Sequence, residues 1–208
     1  MAARRVRAYI GLGANVGDAE ATLAEAVSAL AGLPGTRLRG VSRLYVTAPW
    51  GEPDQPDFRN AVVALDVPGE PDPATAALRL LSRLKDLERD VGRRKRRRWG
   101  PRELDLDLLV FGRARLALER PPEARSIDAE VDPAKASRLL EVPHRDAARR
   151  LFVLAPLADL APGLVPPGWG ETVATARRRQ AARDDPDAVR VAGTWDPAAG
   201  RWRLDRGS

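Results

Sequence analysis

Two aspartates separated by one residue, Asp105 and Asp107, are the side chains of this sequence whose spacing best suits chemistry. They lie in RWGPRELDLDLLVFG, where leucines alternate with the acids as in a half-buried β-strand. Alternate strand residues share a face, so both carboxylates lie on one side with their Cα atoms about 7 Å apart. Carboxylates this close repel one another unless a cation lies between them, and an oxygen-only ligand set favours magnesium. The residues predicted to face the other way are Leu104, Leu106, Leu108 and Val110.

The segment RRKRRRW, just before these acids, brings six consecutive cations close to them. Paired carboxylates with converging arginines suit a polyphosphate that carries a metal ion. Two plainer interpretations stay open, because Asp-x-Asp on a strand is more often a solvated face and a run of cations is more often a mobile or nucleic-acid-binding segment. A protein that binds only a phosphate backbone has no use for two aligned carboxylates, and this favours the polyphosphate.

His144 is the only histidine of the chain, and three arginines lie within six residues of it, at positions 145, 149 and 150. An isolated histidine is more often structural, but these neighbouring cations favour a phosphate-contacting role. The glycine-rich stretch GLGANVG has the wrong spacing for a dinucleotide fingerprint, and residues 31–40 offer no acid for a ribose. The sequence also lacks the Gly-Lys-Ser/Thr of a P-loop, so neither common nucleotide-binding motif applies.

Composition narrows the class of protein. The chain has 208 residues, a formal net charge of +6 and no cysteine. The charge favours an anionic partner, and the lack of cysteine excludes disulfides and thiolate metal sites. No apolar run approaches the roughly 18 residues of a membrane span, and the N-terminal residues lack the apolar core of a signal peptide. We therefore expect a cytoplasmic protein with no membrane partner.

The apolar periodicity predicts the elements that must position these residues. Strands are predicted at residues 6–12, 37–46, 60–67 and 103–111, and helices begin after the capping residues Asp18 and Asp72. The order strand, helix, strand, strand, helix, strand matches the ferredoxin-like α+β plan, in which helices pack on one face of an antiparallel sheet. A short apolar helix follows His144, and Pro156 is expected to interrupt or bend it.

The chain is predicted to form one domain at residues 1–170 and a C-terminal extension at 171–208. Residues 113–141 are rich in arginine, proline and alanine and show weak periodicity, which indicates an insertion within the domain. In the extension, the stretch VRVAGTWDPAAGRWRL predicts a hairpin over about 190–204.

Four segments in order resemble the 6-hydroxymethyl-7,8-dihydropterin pyrophosphokinase family, over roughly residues 6–165. They are AYIGLGANVGD, VTAPWGEPDQPDFRNAVVALD, GRRKRRRWGPRELDLDLLVFG and VPHRDAARRLFVLAPL. The resemblance implies a folate-pathway enzyme that transfers the diphosphoryl group of ATP to the pterin hydroxymethyl oxygen, with AMP as the leaving group. It also implies that Asp105 and Asp107 hold two magnesium ions that bridge the ATP phosphates.

The resemblance implies roles for further residues. Arg93 and Arg102 match arginines that stabilise transition-state charge and close the site. The residues implied around ATP are Glu88, Arg98, Trp99, His144, Arg145 and Arg150. At the pterin, the implied residues are Phe58 and Phe152 on the two ring faces, Asn60 at the polar edge, and Thr47, Ala48 and Trp50 in the loop that completes the pocket. Stacking on two faces with hydrogen bonds along one edge selects a flat polar heterocycle.

An RNA-binding protein on the same sheet plan is the main alternative function. RNA-recognition domains need exposed aromatics on central strands, in a pattern such as Gly-Phe-Gly-Phe-Val-x-Phe, and this sequence has none. A catalytically inactive family member is disfavoured because every matched acid, arginine and aromatic is present. We therefore expect ATP and the pterin as ligands, no nucleic-acid partner, and a monomer.

Overall fold

A computed structural model describes residues 5–49, 54–91, 102–125 and 139–205. In chain order, its elements are β1 (Arg5–Ala14), α1 (Ala19–Gly32), β2 (Arg37–Val41), β3 (Leu44–Thr47), β4 (Phe58–Pro68), α2 (Pro73–Asp90), β5 (Asp105–Phe111), β6 (Leu116–Glu119), β7 (Leu139–Val142), α3 (Leu151–Leu160), α4 (Val173–Ala181), β8 (Val189–Asp196) and β9 (Arg201–Leu204). Short 3-10 turns cover Pro122–Ala124 and Ala147–Arg149. Within these ranges, no helix is long and apolar enough to cross a membrane.

The main sheet is antiparallel, with its strands in the order β5-β1-β4-β3-β8-β9, while β2 pairs with the second half of β4. The strands β5, β1, β4 and β3 together with α1 and α2 form the predicted ferredoxin-like plan, which is confirmed. Both helices begin at the predicted caps. The carboxylate of Asp18 accepts the N–H of Ala21, and that of Asp72 accepts the N–H groups of Ala74 and Thr75.

Helices cover both faces of this sheet. On the first face, α1 and α2 pack against the sheet in a cluster that includes Ile10, Leu12, Leu23, Leu30, Val63, Leu65, Leu81, Leu84 and Leu106. On the second face, Leu157 of α3 and Val173 of α4 pack in a cluster with Tyr9, Val62 and Leu109. The prediction of helices on one face is therefore incomplete, because the central strands are apolar on both sides and each side needs cover.

The prediction that Val110 faces the same way as Leu108 is wrong. The pairing of β1 with β5 slips by one residue, since Tyr9 lies opposite Val110 while Ile10 lies opposite Leu108. This β-bulge inserts Leu109 as an extra residue, so Leu109 and Val110 both pack under α3 and α4. The alternation that places Asp105 and Asp107 on one face ends at this bulge.

The predicted strand over residues 37–46 is two strands, β2 and β3, separated by Ser42 and Arg43. The backbone N–H of Arg43 donates to Asp159 Oδ2 at 3.1 Å, which takes it out of the sheet ladder. The Ser42 hydroxyl accepts the N–H of Val62 at 2.9 Å and so preserves the connection to β4. A side chain of α3 therefore explains the break.

The helix α3 runs from Leu151 to Leu160 and contains Pro156, so the predicted interruption does not occur. Proline removes one backbone hydrogen bond from a helix interior, a loss that packing can offset. Here Leu154 and Leu157, on either side of the proline, are both completely buried. Burial of this face holds the helix together.

Two segments outside the ferredoxin-like plan have regular structure. The ends of the predicted insertion, β6 and β7, pair as a two-stranded antiparallel sheet. The strands β8 and β9 pair antiparallel where the sequence predicts a hairpin, and β8 also pairs with β3, so the hairpin extends the main sheet. The division of the chain into a domain at residues 1–170 and an extension at residues 171–208 stays a prediction.

Candidate active site

The two predicted acids lie at one end of the second sheet face. In the register of the sheet, Asp107 lies opposite Gly11 and Asp105 lies opposite Gly13, which in turn lies opposite Asn60. A Cβ atom at Gly13 would lie 3.3 Å from Asn60 Oδ1, so glycine keeps this row uncrowded. Because neighbouring strands are about 4.8 Å apart, Asn60 and Asp105 stand about 10 Å from each other across a floor without side chains.

The carboxylates of Asp105 and Asp107 are partly exposed and differ in their partners. Arg102 Nη1 is paired with Asp105 Oδ2, whereas Asp107 has no hydrogen bond or ion pair within the described residues. The same part of the chain contains no group of three or more acidic, histidine or cysteine side chains that could hold a metal ion. Magnesium commonly takes one or two carboxylates and completes its shell with water and substrate phosphates, so this donor set fits magnesium that arrives with a polyphosphate.

Glu88 lies beneath this acid pair rather than at the surface. Its side chain is 2% exposed and accepts hydrogen bonds from Lys85 Nζ at 2.5 Å and from the N–H of Leu106 at 2.7 Å. Leu106 is the residue between the two aspartates, and its carbonyl accepts a second bond from Lys85 Nζ at 3.0 Å. The pair Lys85–Glu88 therefore supports the strand that carries the acids. Contact between Glu88 and ATP stays a prediction.

His144 and Arg150 belong to one turn beside β5. The His144 N–H donates to the Leu109 carbonyl at 2.8 Å, which ties the turn to the strand. His144 Nδ1 accepts the N–H of Asp146 at 3.3 Å, so a neutral ring carries its proton on Nε2, a donor suited to a phosphate oxygen. Arg150 pairs with Asp146 Oδ2 at 2.7 Å, and its guanidinium lies 5.8 Å from the centroid of the Phe152 ring. The turn thus places a histidine, a cation and an aromatic ring together.

Four of the residues predicted at the pterin, Thr47, Ala48, Phe58 and Asn60, lie at the end of β3 and the start of β4. Asn60 is 7% exposed and donates through Nδ2 to Thr47 Oγ1 at 2.8 Å, which fixes the amide. Phe58 lies opposite Thr47 in the sheet and is partly exposed, and Ala48 is exposed. The amide oxygen of Asn60 is therefore presented beside Gly13.

The structure says little about the remaining predicted site residues. Arg145 has a side chain that is 57% exposed and lies 3.7 Å from Glu141. The predicted residues Trp50, Arg93, Arg98 and Trp99 lie outside the described residues.

Asn15 joins two segments of the candidate site, and the sequence analysis did not single it out. It is 4% exposed, and its Oδ1 accepts the N–H of Arg102 at 2.7 Å. Its Nδ2 donates to Gln55 Oε1 at 3.1 Å and to the Pro56 carbonyl at 3.0 Å. One side chain therefore joins the loop before β4 to the segment that leads into the acids. The available signal was an asparagine in a glycine-rich turn directly after a buried strand.

Comparisons with known proteins identify the family of this chain. The family model described as 7,8-dihydro-6-hydroxymethylpterin-pyrophosphokinase (HPPK) matches residues 9–162. The 2-amino-4-hydroxy-6-hydroxymethyldihydropteridine pyrophosphokinase of Methylorubrum extorquens is 40% identical over 183 residues, which cover 88% of this chain and 96% of that protein. The protein of the same name from Pseudomonas aeruginosa is 42% identical over 158 residues, covering 76% of this chain and 82% of the relative.

Solved structures support the fold. Wild-type HPPK-DHPS of Plasmodium falciparum matches with a TM-score of 0.68 and 14% identity over 97% of this chain. The match covers 50% of that longer chain. From the family model and the two bacterial relatives, this chain belongs to the 7,8-dihydro-6-hydroxymethylpterin-pyrophosphokinase family and is a pyrophosphokinase that acts on 6-hydroxymethyl-7,8-dihydropterin in folate biosynthesis.

Proposed function

We propose that the reaction takes place over the glycine floor of β1, between the acids of β5 and the amide of Asn60. ATP with two magnesium ions binds at Asp105 and Asp107, and the pterin binds beside Asn60. The observation that carries this proposal is the row formed by Asn60, Gly13 and Asp105, which sets polar groups about 10 Å apart across an open surface. We further propose that the enzyme is a cytoplasmic monomer.

The ATP end of the row combines acids and donors. Magnesium, when bound, neutralises charge on the phosphate oxygens. His144 Nε2 donates to a phosphate oxygen, because the hydrogen bond to Nδ1 leaves the proton on Nε2. Arg102 is already paired with Asp105 and serves both that carboxylate and the phosphates. The contacts proposed for Glu88, Arg98, Trp99, Arg145 and Arg150 complete this end.

The pterin end of the row selects a flat polar ring. Asn60 is fixed by Thr47 and offers Oδ1 to N–H donors of the pterin edge. Phe58 and Phe152 stack on the two faces of the ring. Because the Arg150 guanidinium covers one face of Phe152, the pterin takes the opposite face. The loop with Ala48 and Trp50 closes the pocket.

The proposed step is an in-line transfer. The pterin hydroxyl oxygen bonds to the β-phosphorus, the bond from the β-phosphorus to the oxygen bridging the α-phosphate breaks, and AMP leaves with that oxygen while the hydroxyl proton is released. Such transfers depend mainly on positioning and on neutralising oxygen charge. Arg93 and Arg102 stabilise the charge that develops on these oxygens.

The variant Asp107→Asn tests this proposal. Removing one carboxylate charge is expected to lower AMP release by about 100-fold or more and to weaken magnesium-dependent binding of a non-hydrolysable ATP analogue, with the fold retained. Asp86→Asn is the matched control, because Asp86 is an exposed α2 residue paired with Arg89. Calorimetric titration with and without magnesium gives the binding constants. Full activity of Asp107→Asn would show that the two aspartates do not bind the metal ions of the reaction.

A further inference from the structure

Arg120 is a buried arginine that follows β6, within the segment predicted to be an insertion. The residue is only 8% exposed. Arg120 Nε donates to the carbonyl of Leu139, the first residue of β7, at 3.0 Å. This is the one hydrogen bond that the side chain makes within the described residues, so the two terminal amino groups have no partner there. One edge of the guanidinium is fixed and the other is available.

Four charged side chains near the proposed ATP site interact electrostatically with Arg120. They are the carboxylates of Asp107, Glu88 and Asp105 and the guanidinium of Arg145. Burial lowers the pKa of Arg120, and the three carboxylates offset part of that effect. An arginine remains charged under such a shift, because a guanidinium keeps its proton near neutral pH in proteins.

The carboxylates do not neutralise this cation directly. In the described part of the chain, Arg120 forms no ion pair within 4.0 Å, while Glu88 is bonded to Lys85 and Asp105 to Arg102. No side-chain nitrogen that is fully shielded from solvent lacks a hydrogen bond in the described residues, so the unbonded terminal amino groups of Arg120 are reached by solvent and can accept an anion as partner. Of the three carboxylates whose charge acts on Arg120, Asp107 is the one without a hydrogen bond or ion pair in the described residues.

We infer that Arg120 is a phosphate-binding residue of the ATP site, with its terminal amino groups donating to phosphate oxygens held at Asp107. This inference rests on the proposed function. The fork of a guanidinium matches the spacing of phosphate oxygens, and the bond from Nε to Leu139 orients that fork. The predicted insertion would then contribute directly to the site instead of only connecting β6 to β7.

The alternative is a structural role in which Arg120 only holds β7 in place. Arg120→Met and Arg120→Lys separate the two roles, with Arg125→Met as the control, because Arg125 lies in the same segment and donates to the Arg120 carbonyl. The probes are a non-hydrolysable ATP analogue with magnesium and adenosine, which lacks phosphates. Thermal unfolding of each variant without ligand reports on the fold.

If Arg120 contacts phosphate, substitutions of Arg120 should weaken binding of the ATP analogue but not binding of adenosine. Arg120→Met is expected to bind the ATP analogue about 10- to 100-fold more weakly, with adenosine binding unchanged within twofold, and Arg125→Met to match the wild type for both probes. Arg120→Lys keeps the charge but loses the fork, and about a 10-fold loss limited to the ATP analogue is expected. That variant decides the question if Arg120→Met does not fold.

Two outcomes would overturn the inference. Unchanged binding of the ATP analogue by a folded Arg120 variant excludes the contact, and equal losses for the analogue and adenosine show a structural role. The proposed function fails in a different way. In that case the wild-type protein itself shows no magnesium-dependent binding of the ATP analogue, or Asp107→Asn binds as the wild type does.

Discussion

Asn15 connects the two ends of the proposed active site through a single side chain. The bonds from its Nδ2 hold the loop before β4, and the bond to its Oδ1 holds Arg102. Asn15→Asp separates these tasks, because a carboxylate keeps an acceptor for Arg102 but cannot donate to Gln55 or Pro56. The substitution thus releases only the loop that leads to the pterin residues.

We expect Asn15→Asp to raise the KM for the pterin about 10-fold while the KM for ATP changes less than threefold, since a lost hydrogen bond in a buried site is worth about 1 to 2 kcal/mol. Steady-state kinetics with each substrate varied in turn measures both constants. Asn15→Leu, which removes all three bonds, should affect both substrates and the free energy of unfolding. Equal changes in the two KM values for Asn15→Asp would contradict the division of tasks.

Single residues of the site differ in how well the sequence predicts them. Asp105 and Asp107 share a face because strand alternation is local, whereas their register opposite Gly13 and Gly11 depends on the pairing with β1 and has no local signal. Asn15 acts through Arg102, which is 87 residues away, and a contact at that separation leaves no local pattern. The position of Glu88 also depends on a distant partner, the N–H of Leu106 in β5.

At the scale of elements, α3 is joined to β3 by a polar cluster of Arg43, Tyr45 and Asp159. Arg43 Nη2 lies 2.6 Å from Asp159 Oδ1, and the Tyr45 hydroxyl donates to Asp159 at 3.0 Å. Burial, followed by the negative charge of Asp159, raises the pKa of Tyr45 to about 12. The cluster matters for function because α3 carries Phe152 at its start.

The raised pKa of Tyr45 predicts a loss of stability in alkaline solution. An unfolded tyrosine releases its proton near pH 10, so above that pH the unfolded state binds fewer protons than the folded state and the free energy of unfolding falls. Tyr45→Phe removes this dependence. At pH 8 the variant should be about 1 kcal/mol less stable than the wild type, and the gap should shrink as the pH rises from 9 to 11. Urea unfolding at each pH measures it, and a constant gap would contradict the assignment.

The helices and strands show which elements a sequence can predict. Capped helices such as α1 and α2 carry their start signals within a few residues, and both begin at their predicted caps. The break between β2 and β3 could not be predicted, because the group that captures the Arg43 N–H is Asp159, 116 residues later. The bulge at Leu109 likewise depends on how β5 meets β1.

At the scale of the whole molecule, the C-terminal hairpin extends the sheet at the edge opposite the acids of β5. Without β8, the strand β3 would be an unpaired edge, which invites association with other chains. Trp202 of β9 is 6% exposed, donates through Nε1 to the Ser42 carbonyl at 2.9 Å, and meets Trp195 edge to face with ring centroids 4.7 Å apart. This docking joins residues 160 positions apart, so sequence analysis predicts the hairpin but not where it packs.

Because this hairpin is far from the acids, a substitution in it should lower the stability of the fold without changing the catalytic rate. Trp202→Ala is expected to lower the free energy of unfolding by about 3 to 5 kcal/mol, because it leaves a large cavity and an unpaired carbonyl at Ser42. The acids of β5 lie four strand positions from β8, about 19 Å away, so kcat at low temperature should stay within twofold of the wild type. Urea unfolding and AMP release below the transition measure the two quantities, with Trp202→Phe as the control that keeps most of the packing. A large fall in kcat for folded Trp202→Ala would show that the hairpin shapes the active site through β3 and β4.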